Sequence, residues 1–114
     1  MNRPPLTIAV VGPCASGKST LVSGLKKYGY KAKHVAQEHS FVPDMWKRMT
    51  DPDVLIYLEV SYQVSNQRSG STLKESIFRK QENRLKHARD HADLVINTET
   101  LDPDQILQQV LEYL

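Results

Sequence analysis

The sequence predicts an α/β fold in which a parallel β-sheet lies between two layers of helices. Short apolar segments rich in β-branched residues alternate along the chain with segments of helical periodicity. The apolar segments show little polar alternation, which indicates strands that are buried on both faces. Strands and helices that alternate in this way are typical of a parallel sheet with helices on both sides.

Four strands are expected, at residues 6–11, 31–36, 54–58 and 94–96. The second is centred on His34, Val35 and Ala36. Helices are expected at residues 18–28, 61–68, 73–92 and from residue 103 onward, with one helical turn at residues 45–49 inside an irregular stretch. In the helix at 18–28, apolar residues recur at intervals of three and four. Gly29 is expected to end that helix in a left-handed conformation.

The last two helices are predicted from different signals. Residues 73–92 form a long polar segment. Its inner face is expected to comprise Leu73, Ile77, Leu85, Ala88 and Ala92. The final helix has a start signal, with Asp102 as the cap, Pro103 as the first residue and Gln105 as the third. Its apolar face is expected to comprise Ile106, Leu107, Val110, Leu111 and Leu114.

The composition fits one globular domain spanning residues 1–114, because 39% of the residues are hydrophobic and 25% are charged. The net charge of +2 is too small to suggest a nucleic-acid partner. No apolar run approaches the roughly 20 residues that a membrane-spanning helix needs. The single cysteine, Cys14, cannot form an intramolecular disulfide, which fits a reducing compartment. We therefore expect a cytoplasmic protein that binds neither nucleic acid nor membrane.

The segment between the first strand and the first helix carries the clearest chemical signal. Residues 12–19 read Gly-Pro-Cys-Ala-Ser-Gly-Lys-Ser and match the pattern Gly-x-x-x-x-Gly-Lys-Ser/Thr at every fixed position. Glycines allow the backbone to approach a ligand closely, inward amide groups form a nest for anions, and the helix start adds partial positive charge. The pattern predicts a nucleoside triphosphate site in which Lys18 reaches the β- and γ-phosphates and Ser19 offers its hydroxyl to Mg²⁺. The residues expected to bind the nucleotide are Gly12, Cys14, Ala15, Ser16, Gly17, Lys18, Ser19 and Thr20.

Three segments resemble the nucleotide- and metabolite-kinase branch of P-loop proteins, which includes thymidylate-kinase-like, dephospho-CoA-kinase-like and shikimate-kinase-like enzymes. They are the glycine-containing loop just described, the segment 53–61 with the sequence DVLIYLEVS, and the segment 92–98 with the sequence ADLVINT. The resemblance implies a minimal P-loop NTPase fold with ATP and Mg²⁺ as cofactors. One strand of the sheet in these kinases has no counterpart here, so the sheet order is expected to be 2-1-3-4.

The same resemblance implies roles for residues outside the loop. Arg68 follows the third strand at the end of a helix, where these kinases carry a lid arginine that contacts adenine or phosphates. Glu38 follows the second strand, where an acid binds or deprotonates the acceptor. Thr98 follows the last strand, in a loop that lies against the adenine ring. The expected catalytic residues are therefore Lys18, Arg68 and Glu38, although Arg68 and Glu38 could equally be a solvated helix-end arginine and a surface carboxylate.

Several other side chains have a chemical and a structural interpretation. Glu59, at the end of the third strand, is expected either to help hold a metal or to have a structural role. Arg79 is either a lid group or part of a solvated helix face. In the segment between Arg68 and Leu73, where these kinases carry a lid, the chain has only a few small residues.

The histidines, the tryptophan and the cysteine also leave alternatives open. His39 would hold the acceptor or be a bystander, and Trp46 would stack on the acceptor or cover the edge of the core. His87 and His91 lie four residues apart but lack the glutamate of a zinc-binding helix, which favours a solvated face. Cys14 would have a thiol pKa lowered by the helix start, or be a small residue tolerated in the loop.

Two functions follow as expectations. The first is a small-molecule kinase that transfers the γ-phosphoryl group of ATP to a nucleoside, nucleotide or other metabolite. The alternative is a nucleotide-binding module or slow ATPase without phosphotransferase activity. The guanine-reading pattern Asn-Lys-x-Asp is absent, which favours ATP over GTP. The chain would be a monomer, or a homodimer that covers an edge of the sheet.

Overall fold

A computed structural model describes residues 6–70 and 73–114 of the chain. In this part the chain has four strands, β1 (Thr7–Val11), β2 (Lys31–His34), β3 (Val54–Glu59) and β4 (Leu94–Asn97). All neighbouring pairs are parallel, and the sheet order is β2-β1-β3-β4. The predicted α/β class and the predicted order 2-1-3-4 are confirmed. Residues 71–72, in the segment expected in place of a lid, lie outside the described residues.

The helices connect the strands in the predicted alternation. They are α1 (Lys18–Lys27), α2 (Met45–Thr50), α3 (Tyr62–Ser69), α4 (Glu75–His91) and α5 (Pro103–Tyr113), with a 3₁₀ turn at Gln37–His39. Ser61 caps α3 by accepting a hydrogen bond from the Val64 amide. Asp102 and Gln105 form the predicted capping box at the start of α5. Among the described residues, no helix has the length and apolar character needed to cross a membrane.

The hydrophobic core lies on both faces of the sheet, because side chains alternate along each strand. On one face, Ile8 and Val10 of β1 pack with residues of α1 and α5, including Leu25 and Val110. On the other face, Ala9 and Val11 pack with residues of α2 and α4. The described residues therefore form the three layers that the sequence predicts.

Three details of the prediction were wrong. Strand β2 ends at His34 rather than being centred on residues 34–36, because the pairing with β1 ends there and the chain turns into the 3₁₀ segment. The inner face of α4 includes Phe78 rather than Ile77, which is 44% exposed. Val95 pairs with Tyr57 and lies on the α4 face of the sheet, but β4 is an edge strand and Val95 remains 41% exposed.

Candidate functional site

The loop at residues 12–17, hereafter the glycine loop, leaves the carboxyl end of β1 and leads into α1. Its backbone is tightly constrained. A Cβ added to Gly12 would lie 2.5 Å from the Leu58 carbonyl oxygen and 2.8 Å from Ser16 Oγ. Gly12 has a φ of 159°, Ala15 a φ of 59° and Gly17 a φ of 100°, so three residues of the loop have a positive φ. A non-glycine residue in this conformation costs about 1 kcal/mol or more, and such residues cluster at functional sites.

The start of α1 leaves backbone amide groups without helical partners. The hydrogen bond that begins the helix runs from the Leu21 amide to the Gly17 carbonyl, at 3.1 Å. No side chain of residues 6–70 or 73–114 caps this helix, and its first turn has no acidic residue. The amides of the first turn therefore present a positive partial charge that no carboxylate of this helix turn neutralises. This arrangement is suited to an anion.

Lys18 extends back over the glycine loop. Its Nζ donates hydrogen bonds to the carbonyl oxygens of Gly12, at 2.6 Å, and Pro13, at 3.2 Å. The same Nζ forms an ion pair with Glu38 Oε2, which comes from the 3₁₀ turn after β2. The side chains of Lys18 and Glu38 are only 11% and 5% exposed. The lysine and the acid expected from the sequence are thus brought together in one largely buried pair.

Two buried side-chain polar atoms lack a hydrogen-bond partner within residues 6–70 and 73–114, and both belong to this site. They are Ser16 Oγ in the glycine loop and Oε1 of Glu38. A buried polar atom left unpaired costs about 1–3 kcal/mol. Because such atoms are rare in proteins, the two atoms beside this loop make it a candidate binding site.

The backbone of Cys14 is held from two helices. Gln81 of α4 accepts a hydrogen bond from the Cys14 amide through Oε1, at 3.3 Å, and its Nε2 donates to Cys14 Sγ, at 3.3 Å. Ser65 of α3 donates its hydroxyl hydrogen to the Cys14 carbonyl oxygen, at 2.6 Å. Gln81 and Ser65 are both almost completely buried. These contacts fix the position of the glycine loop against the two helices.

Arg68 joins the glycine loop to the segment after β4. Its guanidinium donates to the Thr98 carbonyl oxygen at 2.6 Å, to Thr98 Oγ1 at 3.1 Å and to the Ala15 carbonyl oxygen at 3.4 Å. Arg68 itself is exposed, whereas Thr98 is fully buried. Thr98 therefore holds Arg68 in place and has no exposed surface of its own. Among the described residues Arg68 forms no ion pair, so its charge is directed at neutral carbonyl groups.

Two cavities flank the glycine loop. The first, of about 310 Å³, is hereafter the apolar cavity. It is lined by Ala15, Ser16, Gly17, Thr20, Leu21, Arg68, Leu101, Pro103 and Ile106. The second, of about 450 Å³, is hereafter the Glu38 cavity. It is lined by Cys14, Ala15, Ser16, Gly17, Lys18, Ser19, Thr20, His34, Ala36, Glu38 and His39. Both volumes lie in the range of small-molecule sites, and residues of the glycine loop line both cavities.

Some candidates from the sequence lie away from this site. Glu59 forms an ion pair with Arg89, at 3.3 Å, and lines a different cavity beside α4. Arg79 pairs with Glu75 and Glu82 on the exposed surface of α4, as in the solvated interpretation. Tyr57 is buried beside Glu59, and burial followed by the charge of that carboxylate raises the pKa of Tyr57 to about 12.

The tryptophan and the helical histidines form a separate cluster. Trp46 is buried in the core and donates its Nε1 hydrogen to His87 Nδ1, at 3.2 Å. The rings of His87 and His91 are stacked with centroids 4.2 Å apart. Trp46 therefore packs at the core, and it does not line the Glu38 cavity.

Sequence reasoning missed Gln81, Ser65 and Arg84, the last of which donates to the Glu38 carbonyl oxygen at 3.3 Å. The sequence carries a signal only for Gln81. It lies three residues after Phe78 and four before Leu85, so it is a polar residue in the middle of an apolar helical stripe. A polar side chain at such a position needs a buried partner, and here that partner is Cys14.

Searches with this chain against protein-family models and against curated protein sequences found no match. The function must therefore be inferred from the residues of the chain itself.

Proposed function

We propose that this chain binds ATP with Mg²⁺ at the glycine loop and transfers the γ-phosphoryl group to a small molecule. The observation that carries the proposal is the convergence on one loop of an uncapped helix start, Lys18 and both orphaned buried polar atoms. This combination is suited to an anion with several oxygens. It agrees with the match of residues 12–19 to the phosphate-binding pattern.

The triphosphate would be held by the amide groups at the start of α1 and by Lys18. Phosphate oxygens would also give Ser16 Oγ the partner that it lacks. Lys18 would leave its ion pair with Glu38 and bind the phosphate instead, since one ammonium group cannot bind both anions equally well. Arg68 would contact the nucleotide from the opposite side, because its guanidinium already lies against the Ala15 carbonyl.

The base would lie in the apolar cavity. Leu21, Leu101 and Ile106 contribute apolar surface, and Arg68 contributes a planar cation that can stack on an aromatic ring. Thr98 would act on the base through Arg68, because it is itself fully buried. The absence of the guanine-reading pattern in the sequence favours adenine.

Mg²⁺ fits the hard oxygen donors of this site. Ser19, exposed in the first turn of α1, lines the Glu38 cavity and would offer its hydroxyl, with phosphate oxygens and water as further ligands. When bound, the ion neutralises charge that develops on the transferred phosphoryl group. Glu38 would orient or deprotonate the acceptor, and His39, which lines the same cavity, would be a second polar contact for it. The acceptor would be a nucleoside, a nucleotide or another metabolite, and the reaction would take place in the cytoplasm.

The alternative is a nucleotide-binding module or slow ATPase without phosphotransferase activity. One observation favours it. Glu59, a second carboxylate at the carboxyl edge of the sheet, faces Arg89 rather than the glycine loop. A transfer enzyme with only Glu38 available would have less help in placing both metal and acceptor.

Calorimetric titration of ATP·Mg²⁺ and GTP·Mg²⁺ into the wild type, Lys18→Ala and Lys26→Ala tests nucleotide binding. Lys26 is an exposed lysine of the same helix and serves as the matched control. We expect ATP binding in the wild type and in Lys26→Ala, and loss of at least about 2 kcal/mol of binding free energy in Lys18→Ala, as for a charged hydrogen bond. Equal affinities in all three proteins would contradict the proposal.

Incubation of ATP with a pool of metabolites then separates the two functions. ADP that forms only when the pool is present identifies a kinase and leads to its acceptor. Binding without acceptor-dependent ADP supports the module instead.

A further inference from the structure

The Glu38 cavity contains three side chains of the types that bind transition metals. Cys14, Glu38 and His39 each offer one ligand atom, and these atoms all lie within 4.8 Å of one another. Cys14 Sγ is 3.9 Å from His39 Nε2. A tetrahedral zinc ion bound to sulfur and nitrogen at its usual distances would place these two atoms about 3.5 Å apart, which is about 0.4 Å closer than they lie here.

Within the described residues, Glu38 has one carboxylate oxygen that no hydrogen-bond donor reaches. Its residue is 4% exposed, and Oε2 is engaged by Lys18. Oε1 is buried and has no hydrogen-bond partner. The carboxylate can therefore keep Lys18 on one oxygen and offer the other to a cation.

Cys14 is positioned as a metal-binding sulfur should be. Gln81 can accept the Cys14 amide hydrogen only through Oε1, which directs its Nε2 hydrogen towards Sγ. Outer contacts of this kind orient metal ligands. Since Gln81 is 2% exposed, this contact is fixed by the core of the protein.

We propose that Cys14 Sγ, His39 Nε2 and Glu38 Oε1 form a site for Zn²⁺ beside the glycine loop. Thiolate, imidazole and carboxylate together suit Zn²⁺, whereas Mg²⁺ prefers oxygen ligands alone. The Cys14 thiol loses its proton to solvent as the sulfur–zinc bond forms. Three protein ligands leave one position of the ion open to water or to an anion.

The test uses the reduced, nucleotide-free protein. Zn²⁺ is titrated in competition with a chromophoric chelator, and Co²⁺ serves as a spectroscopic substitute because a thiolate ligand gives it a near-ultraviolet charge-transfer absorption. The variants are Cys14→Ser, His39→Ala and Glu38→Gln. His91→Ala, at an exposed histidine outside the site, is the matched control. Circular dichroism establishes that each variant is folded, and the exposed position of His39 makes its variant the least disturbing to the fold.

We expect one Zn²⁺ per chain, weakened at least about tenfold in each of the three variants and unchanged in His91→Ala. The Co²⁺ charge-transfer absorption should be lost in Cys14→Ser. Wild-type Zn²⁺ affinity in Cys14→Ser and His39→Ala, or loss of binding in His91→Ala, would overturn the proposal. No Zn²⁺ binding by the wild type would overturn it as well. Because no nucleotide is present, this result is independent of whether the chain binds ATP.

Discussion

The ion pair between Lys18 and Glu38 leads to a prediction about nucleotide affinity. Glu38 forms an ion pair with the ammonium group that would bind a triphosphate under the proposed function. Glu38→Gln keeps the shape of the side chain but replaces a charged acceptor with a neutral one. The Lys18 ammonium keeps a charge-assisted hydrogen bond to the amide oxygen but loses its attraction to a second charge. We take this loss as about 1–1.5 kcal/mol, so the release of Lys18 to a triphosphate becomes less costly by that amount. ATP affinity should therefore rise roughly tenfold in Glu38→Gln.

The assay is calorimetric titration of ATP without Mg²⁺, at constant ionic strength, so that a metal contact of Glu38 does not contribute. Glu59→Gln is the control, because it changes the net charge by the same amount at a carboxylate that pairs with Arg89. We expect its ATP affinity to stay within about twofold of the wild type, since an exposed pair contributes little. An unchanged or weaker affinity in Glu38→Gln would refute the reasoning. Equal tightening in both variants would mean that only net charge matters. Under the proposed transfer reaction, Glu38→Gln should turn over more slowly even while it binds ATP more tightly.

Three further predictions concern stability, and urea unfolding measures each of them. Gly12→Ala should lose about 2–3 kcal/mol because its Cβ would meet the Leu58 carbonyl at 2.5 Å. Gly29→Ala should lose less, only the strain of its φ of 88°, because no atom of the described residues lies within 4 Å of the added Cβ; equal losses would contradict the steric argument. Folding favours the neutral phenol of Tyr57, because its pKa is about 12 in the folded protein and 10.0 in the unfolded chain. The contribution of Tyr57 to the free energy of unfolding is therefore complete below pH 10 and is lost as the pH rises towards 12. Tyr57→Phe should remove a loss of about 1 kcal/mol between pH 10 and pH 11, and the same pH slope in both proteins would contradict this. Asp102→Ala should lose about 1 kcal/mol through the broken capping box, and an unchanged midpoint would show that the cap does not contribute.

Local signals in the sequence were sufficient to predict most of the architecture. The buried strands, the alternation with helices, and the starts of α1 and α5 all depend on residues within one or two turns of each other. The glycine loop was predicted for the same reason, because its pattern is contiguous and lies between a strand and a helix. Errors arose where burial depends on a distant neighbour. Val95 is an apolar residue of the kind found in cores, but its local sequence does not indicate that β4 is an edge strand.

The sequence by itself determined the α/β order, the glycine loop and the presence of Lys18 and Glu38 at the ends of neighbouring elements. Only the tertiary structure decided their partners. The two residues of the Lys18–Glu38 ion pair are 20 positions apart in the sequence. Those of the Arg68–Thr98 hydrogen bond are 30 apart, and those of the Gln81–Cys14 hydrogen bond are 67 apart. Such contacts depend on which strands are adjacent and on how far a helix is rotated about its axis. Neither quantity is encoded in any one segment, because each is set by the packing of all the layers at once.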